Sequence, residues 1–240
     1  MIRHYSNHLK FACAARRPAG GFTLVVVLLA IFFFSIIITT LFGAYTAVFD
    51  QAAAVEDNLV FNEMARTCLK RMILDLQSVY VARPPLYKRP TFDSDPDPYR
   101  IVATPSESGD DRFMSLRFTS LAHVSLDRQF RSGVAEIVYF IQPRDDDQFD
   151  LHRADRLFFD EPFEPEPGQP ILCEHVKNLT FRFIDQEGEE HDQWDSETDD
   201  FDYATPQAIV IQLEIGSPTT SFTFETRVNL SVYREKVGAI

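Results

Sequence analysis

Residues 16–45 read RRPAGGFTLVVVLLAIFFFSIIITTLFGAY: a basic pair, a Gly-Gly step, and then no charge before Asp50. Residues 22–42 alone give 21 uncharged positions. As a helix they measure about 31 Å at ~1.5 Å per residue, enough to cross the apolar core of a bilayer. Gly43 follows as a soft point, because glycine is a weak helix former. Three fates are open to such a segment: removal as an export signal, retention as an anchor, or cleavage on its near side with the helix kept.

The surrounding charge orients it. The basic residues before Phe22 are Arg3, Lys10, Arg16 and Arg17, with no Asp or Glu among them, while the whole chain carries a formal charge of -13. A basic tail before an apolar span keeps the N-terminus cytoplasmic and sends the acidic body across. The same acidity, without a balancing basic patch, argues against a nucleic-acid partner. With 240 residues, 45% of them hydrophobic and 22 of them Phe, the chain has material for an anchor plus one packed domain.

A cleavable secretory signal has an apolar region of about 7–15 residues and a small-residue site beyond it. Here the run is longer, and Gly43-Ala44-Tyr45-Thr46-Ala47 is a poor site. A twin-arginine signal is suggested by Arg16-Arg17, but Pro18-Ala19-Gly20 follows in place of an apolar-basic continuation.

Beyond the span the pattern stays helical. Phe61, Met64, Ala65, Cys68, Leu69, Met72, Ile73, Leu76 and Val79 step by three and four, one apolar stripe. Asn62, Glu63, Arg66, Lys70, Arg71 and Asp75 fall mostly on the opposite face, and Pro84-Pro85 closes the helix after about Val81. Residues 84–112, rich in Pro, Asp and Ser, read as a connecting loop. Alternating segments at 113–120, 134–142, 156–159, 179–184, 208–215 and 221–233 then read as strands. No internal repeat is visible. The expected class is α+β, a long helix packed on one antiparallel β domain spanning 113–240.

Gly21-Phe22-Thr23-Leu24 behind a basic leader and ahead of an apolar helix resembles the prepilin-type signal of type IV pilins and type II secretion pseudopilins. The resemblance implies a membrane peptidase that cuts between Gly21 and Phe22, methylates the new N-terminal Phe22, and leaves the helix as anchor. Residues 1–21 would then be a leader, 22–45 a transmembrane helix and 46–83 its amphipathic continuation. The family usually carries Glu at the fifth mature position, where this chain has Val26. A buried carboxylate in a filament core is costly unless paired. Its absence is known in the family for a subunit at the filament tip; a loss without consequence is the other reading.

The second half adds a resemblance. Val138-Tyr139-Phe140-Ile141, Leu151-His152-Arg153, Leu172, the run 176–183, then Asp185, Gly188, Trp194 and the run 206–211 are similar in order and spacing to minor pseudopilin J of type II secretion systems. This implies a structural subunit and no enzyme. Its partners would be the I- and K-type minor pseudopilins, the major pseudopilin, a prepilin peptidase and the inner membrane, with the C-terminal domain periplasmic. A minor pilin of a type IV pilus or DNA-uptake system and a membrane-anchored hydrolase are the alternatives.

Chemistry outside these resemblances is sparse. Asp93-Ser94-Asp95-Pro96-Asp97 imitates the start of a calcium loop, yet Pro98 and Thr104 stand where Gly and Glu belong. Asp145-Asp146-Asp147 and the acidic stretch 185–202 are cation-collecting in charge, though solvated loops look the same. No cofactor is expected, with calcium left as an open possibility. His123, His152, His175 and His191 lack metalloprotease spacing, and no serine sits in a nucleophile elbow. Cys13 belongs to the leader, leaving Cys68 and Cys173 as a disulfide or as two buried thiols. Trp194 reads as a packing anchor.

Overall fold

The computed structural model describes residues 22–91, 95–105, 112–124, 132–144, 148–157, 162–165 and 168–237. The chain divides into two compact units, Met1–Glu56 and Asp57–Ile240. Helix α1 (Phe22–Gln77) supplies the described part of the first and opens the second.

Within the second unit the apolar stripe is buried as its spacing demands. Ala65, Cys68, Met72 and Leu76 are fully enclosed, and Met64, Leu69 and Ile73 are partly covered beside them. Burial of each large side chain contributes about 1.5–3 kcal/mol. The helix stops at Gln77, short of the expected Val81 and well before Pro84. Of its last carbonyls, Leu74 O and Leu76 O accept from Ser78 N–H and Val79 N–H, and Asp75 O is taken by the sheet. The Ser120 hydroxyl donates to Asp75 O at 2.8 Å and to Ser78 O at 3.2 Å, and Leu121 N–H donates to Ser78 O. Tyr80 N–H reciprocates to Thr119 O at 2.9 Å. A sheet edge, rather than a proline, ends the helix.

Ten strands follow among the described residues: β1 (Val102–Pro105), β2 (Met114–Ser120), β3 (Ala135–Arg144), β4 (Gln148–Arg156), β5 (Ile171–Cys173), β6 (Val176–Ile184), β7 (Glu190–His191), β8 (Trp194–Asp195), β9 (Ala208–Ile215) and β10 (Phe222–Asn229). They form two sheets, ordered β5-β4-β3-β2-β1-β8 and β10-β9-β6-β7. Every strand pairing within the sheets is antiparallel. The fold is therefore α+β, with a helix and an antiparallel β domain as expected, the domain being built of two sheets.

Three sequence expectations need correction. Residues 84–112, read as a loop, contain β1, which pairs with both β2 and β8. Its four residues end in Pro105, too short to show a period. The strand expected at 156–159 is instead β4, ending at Arg156. Asp150, His152 and Arg153 sit within its five-residue buried run and disguise it as polar. Between the segments expected as strands at 156–159 and 179–184 lies a further short strand, β5, ending at Cys173.

One core joins these elements. The α1 stripe meets Leu116, Phe118, Ile137 and Tyr139 of the first sheet, and Leu179, Phe181, Ile209 and Leu213 of the second. Strand β3 is buried continuously from Ala135 to Ile141 because its other face is covered too, with Val138, Phe140 and Ala154 under Phe163.

Candidate assembly site

The membrane-length segment comes first. Leu24–Thr46 has a mean hydropathy of 3.0 and no residue buried within the structure, so its whole apolar surface waits for lipid or neighbouring helices. Its hydroxyls are closed onto the helix itself. Ser35 donates to Ile31 O, Thr39 to Ser35 O, Thr40 to Ile37 O and Thr46 to Gly43 O, at 2.8–3.1 Å. In hydrocarbon an unmade hydrogen bond is expensive, and these bonds remove that cost. Val26 is half exposed on this surface. Gly43 lies inside the helix with open space around its missing side chain. The expected cleavage junction falls at the border of description: Gly21 is outside the described residues, and Phe22 opens α1.

In the second unit, sequence reasoning missed a buried charge. Asp75, placed on the polar helix face by its spacing, is wholly enclosed. Arg153 of β4 donates to it through Nε at 2.7 Å and Nη2 at 3.2 Å. Arg71, one turn back on α1, donates through Nη2 at 2.6 Å, and the Tyr139 hydroxyl donates to the same carboxylate. Arg153 also reaches Asp155 at 2.7 Å, and Asp155 pairs with His123. Burial works against the Arg153 charge, but Asp75 and Asp155 outweigh it and raise its pKa. Burial first, then Asp75, pushes the Tyr139 hydroxyl pKa up, so it stays a donor. The network ties α1 to β3 and β4. A signal was present in Asp75 lying four residues after Arg71, but the partner 78 residues away left none.

A second clasp holds the C-terminal segment. The Arg234 side chain is fully buried, with its guanidinium 3.4 Å from the centre of the Tyr87 ring. It donates to Tyr203 O at 2.7 Å, Asp97 Oδ2 at 2.8 Å, Ser196 O at 2.8 Å and Glu197 Oε1 at 3.1 Å. Glu197, from the acidic stretch read as solvated, thus acts inside the structure. Burial raises its pKa, against the Asp97 N–H and the Arg234 charge. Trp194 is the packing anchor its isolation suggested. It stacks on Phe201 at 4.2 Å, and its Nε1–H donates to Ala204 O at 3.2 Å.

Metal-ligating groups converge at one place among the described residues. Asp185, Glu189 and His191 each bring a ligand atom within 4.8 Å of the others. One imidazole beside two carboxylates suits a transition metal better than calcium, which prefers an all-oxygen shell. Here His191 Nε2 sits 3.2 Å from Asp185 Oδ2, within hydrogen-bond distance. Asp93 and Ser94 of the calcium-like loop, and Asp145-Asp146-Asp147, lie outside the described residues.

Two surface clefts are open to solvent. One, of about 1010 Å³, lies between Tyr80, Pro84, Leu121 and Tyr233; the other, of about 530 Å³, lies on the outer face of the first sheet over Phe140 and Phe163. Cys68 and Cys173, in contrast, are brought together: both are buried free thiols of one core, near enough for Cys173 to raise the Cys68 pKa.

A family model for type II secretion system (T2SS), protein J, matches residues 43–220, most of the chain. The chain belongs to that family. A comparison with curated proteins finds no match. Protein J is a minor pseudopilin, so the type IV pilus alternative gives way to type II secretion. The family is one of structural secretion subunits rather than enzymes, and it associates with other pseudopilins and the secretion machinery. A single apolar helix at the N-terminal end fits a membrane-anchored member. The match begins at Gly43, so the signal at Gly21-Phe22 and the apolar span carry information independent of it. It ends before β10 and the Arg234 clasp.

Proposed function

We propose that this protein J caps a pseudopilus tip and primes its assembly for protein export across the outer membrane. A prepilin peptidase cuts between Gly21 and Phe22 and methylates Phe22. Residues 22–45 then anchor the subunit in the inner membrane with its N-terminus cytoplasmic, and residues 46–240 reach the periplasm. I- and K-type minor pseudopilins join it there, and the major pseudopilin extends below. The role invokes no cofactor and no nucleic acid, and leaves calcium open.

The observation that carries this reading is Val26, an apolar, half-exposed side chain on a span without a single charge. A shaft subunit uses its carboxylate to meet the ammonium of the neighbour above. A subunit with no neighbour above has no ammonium to meet, and an unpaired carboxylate in that medium would cost several kcal/mol, roughly the scale of an unpaired buried ion.

The test is intact mass and N-terminal sequencing after co-expression with a prepilin peptidase, followed by affinity capture with I- and K-type pseudopilins. An N-terminus at Phe22 and recovery of both partners support the reading. A chain still beginning at Met1, or one cut beyond Tyr45, would overturn it.

A further inference from the structure

The two cysteines occupy places where a bond between them would join otherwise separate elements. Cys68 lies on the buried stripe of α1, between Ala65 and Met72. Cys173 ends β5, the edge strand of the first sheet. That strand is lightly held: Leu151↔Cys173 and His152↔Ile171 pair it to β4, across an irregular register. Both thiols are enclosed in the same core, close enough for Cys173 to act on the ionisation of Cys68. Their other polar neighbours are weak acceptors, Met72 Sδ at 3.9 Å from Cys68 and Glu174 O at 3.7 Å from Cys173. Nothing else in the core therefore depends on either thiol remaining free.

We propose that Cys68 and Cys173 are a disulfide-forming pair that fastens α1 to the β5 edge of the domain. The site is structural rather than catalytic. Its thiols are shielded, and the Cys173 hydrogen bond followed by burial raises the Cys68 pKa, which disfavours the reactive thiolate. Closure takes place while the chain is still open enough for exchange. In the reaction, two thiols lose two protons and two electrons as the sulfur–sulfur bond forms. A disulfide of an exchange partner accepts them and becomes two thiols. A compartment that maintains such disulfides favours closure, and a reducing one prevents it. The link spans a long stretch of chain, so it restricts the unfolded state strongly.

The experiment uses the full chain in detergent, unfolded under reductant and refolded with a mixture of oxidised and reduced glutathione. Non-reduced digestion after alkylation in denaturant should yield a cross-linked peptide pair containing Cys68 and Cys173 that disappears on reduction. The thermal midpoint, read by Trp194 fluorescence, should stand roughly 5–15 °C higher in the oxidised protein than in the reduced protein. The wild-type comparison needs no substitution; a Cys13→Ser chain removes the competing leader thiol. Alkylation of both Cys68 and Cys173 in folded, glutathione-treated protein would overturn the proposal. So would their pairing with anything else in the Cys13→Ser chain, or a midpoint indifferent to reductant.

Discussion

Arg153 Nε donates to Asp75 Oδ2 at 2.7 Å, joining β4 to the last turn of α1 across 78 positions of sequence. Removing one member of such a buried pair strands the other. Asp75→Ala, which leaves Arg153 with Asp155 as its one carboxylate and Arg71 with none, is expected to lower unfolding stability by about 3 kcal/mol. Asp75→Leu combined with Arg153→Met should cost clearly less than the sum of the single changes. Urea unfolding followed by Trp194 fluorescence measures both, because the sole tryptophan lies in the same core. Strict additivity would show that the pair is incidental.

Arg234 makes the same argument at the other end of the chain. Arg234→Met removes a charge that Asp97 and Glu197 both face, together with the bonds to Tyr203 O and Ser196 O. The C-terminal segment should open locally, and trypsin should cut after Lys236 about tenfold faster or more. Arg234→Lys should not restore protection, since an ammonium cannot satisfy the separate directions of the guanidinium.

The acid limb of stability should depend on Asp185. Burial pushes its carboxyl up, but the His191 ring and the Glu189 N–H outweigh burial and hold it below its ordinary value. A lowered folded-state pKa means stability present above the unfolded carboxylate range, near about pH 4, and lost as pH falls through the folded value. Asp185→Asn should therefore flatten the stability profile below about pH 4 relative to the parent. Thermal midpoints across pH 2–6 (on the order of ten points) would reveal it. Equal slopes in parent and variant would exclude Asp185 as a contributor.

Gly216, between β9 and β10, accepts no side chain. A Cβ there would meet Thr220 O at 2.1 Å, a backbone atom that cannot swing away. Gly216→Ala should displace the turn and destabilise the domain by about 1–3 kcal/mol, as overpacking does. Gly43→Ala is the control, because nothing lies within 4 Å of its added carbon. Unfolding midpoints of the two variants should move in different directions or by clearly different amounts.

What sequence could reveal follows from the range of the forces involved. Ala208–Ile215 was legible residue for residue because a contiguous apolar run over 208–211 passes into alternation over 211–215, and both record burial. The α1 stripe was legible for the same reason at helical period. Strand β4 was not, since Asp150, His152 and Arg153 are buried by partners on other elements and break the apolar pattern. Glu197 hid among solvated acids for a similar reason: its cation, Arg234, lies 37 residues later. The apolar span and the Gly21-Phe22 step are contiguous features and needed no tertiary information. The meeting of Cys68 with Cys173 required the fold.

The inward-turned hydroxyls of Ser35, Thr39 and Thr40 have an effect beyond their own satisfaction. They are the only polar side chains between Leu24 and Phe42, and each commits its proton to its own helix. A neighbouring helix therefore finds no side-chain donor along this stretch. It can tell this surface from another only by relief: the bulk of Phe32, Phe33 and Phe34, the hollow at Ala30, the smooth flank at Val26. Inside the bilayer this subunit is recognised by contour, and its chemistry is silent.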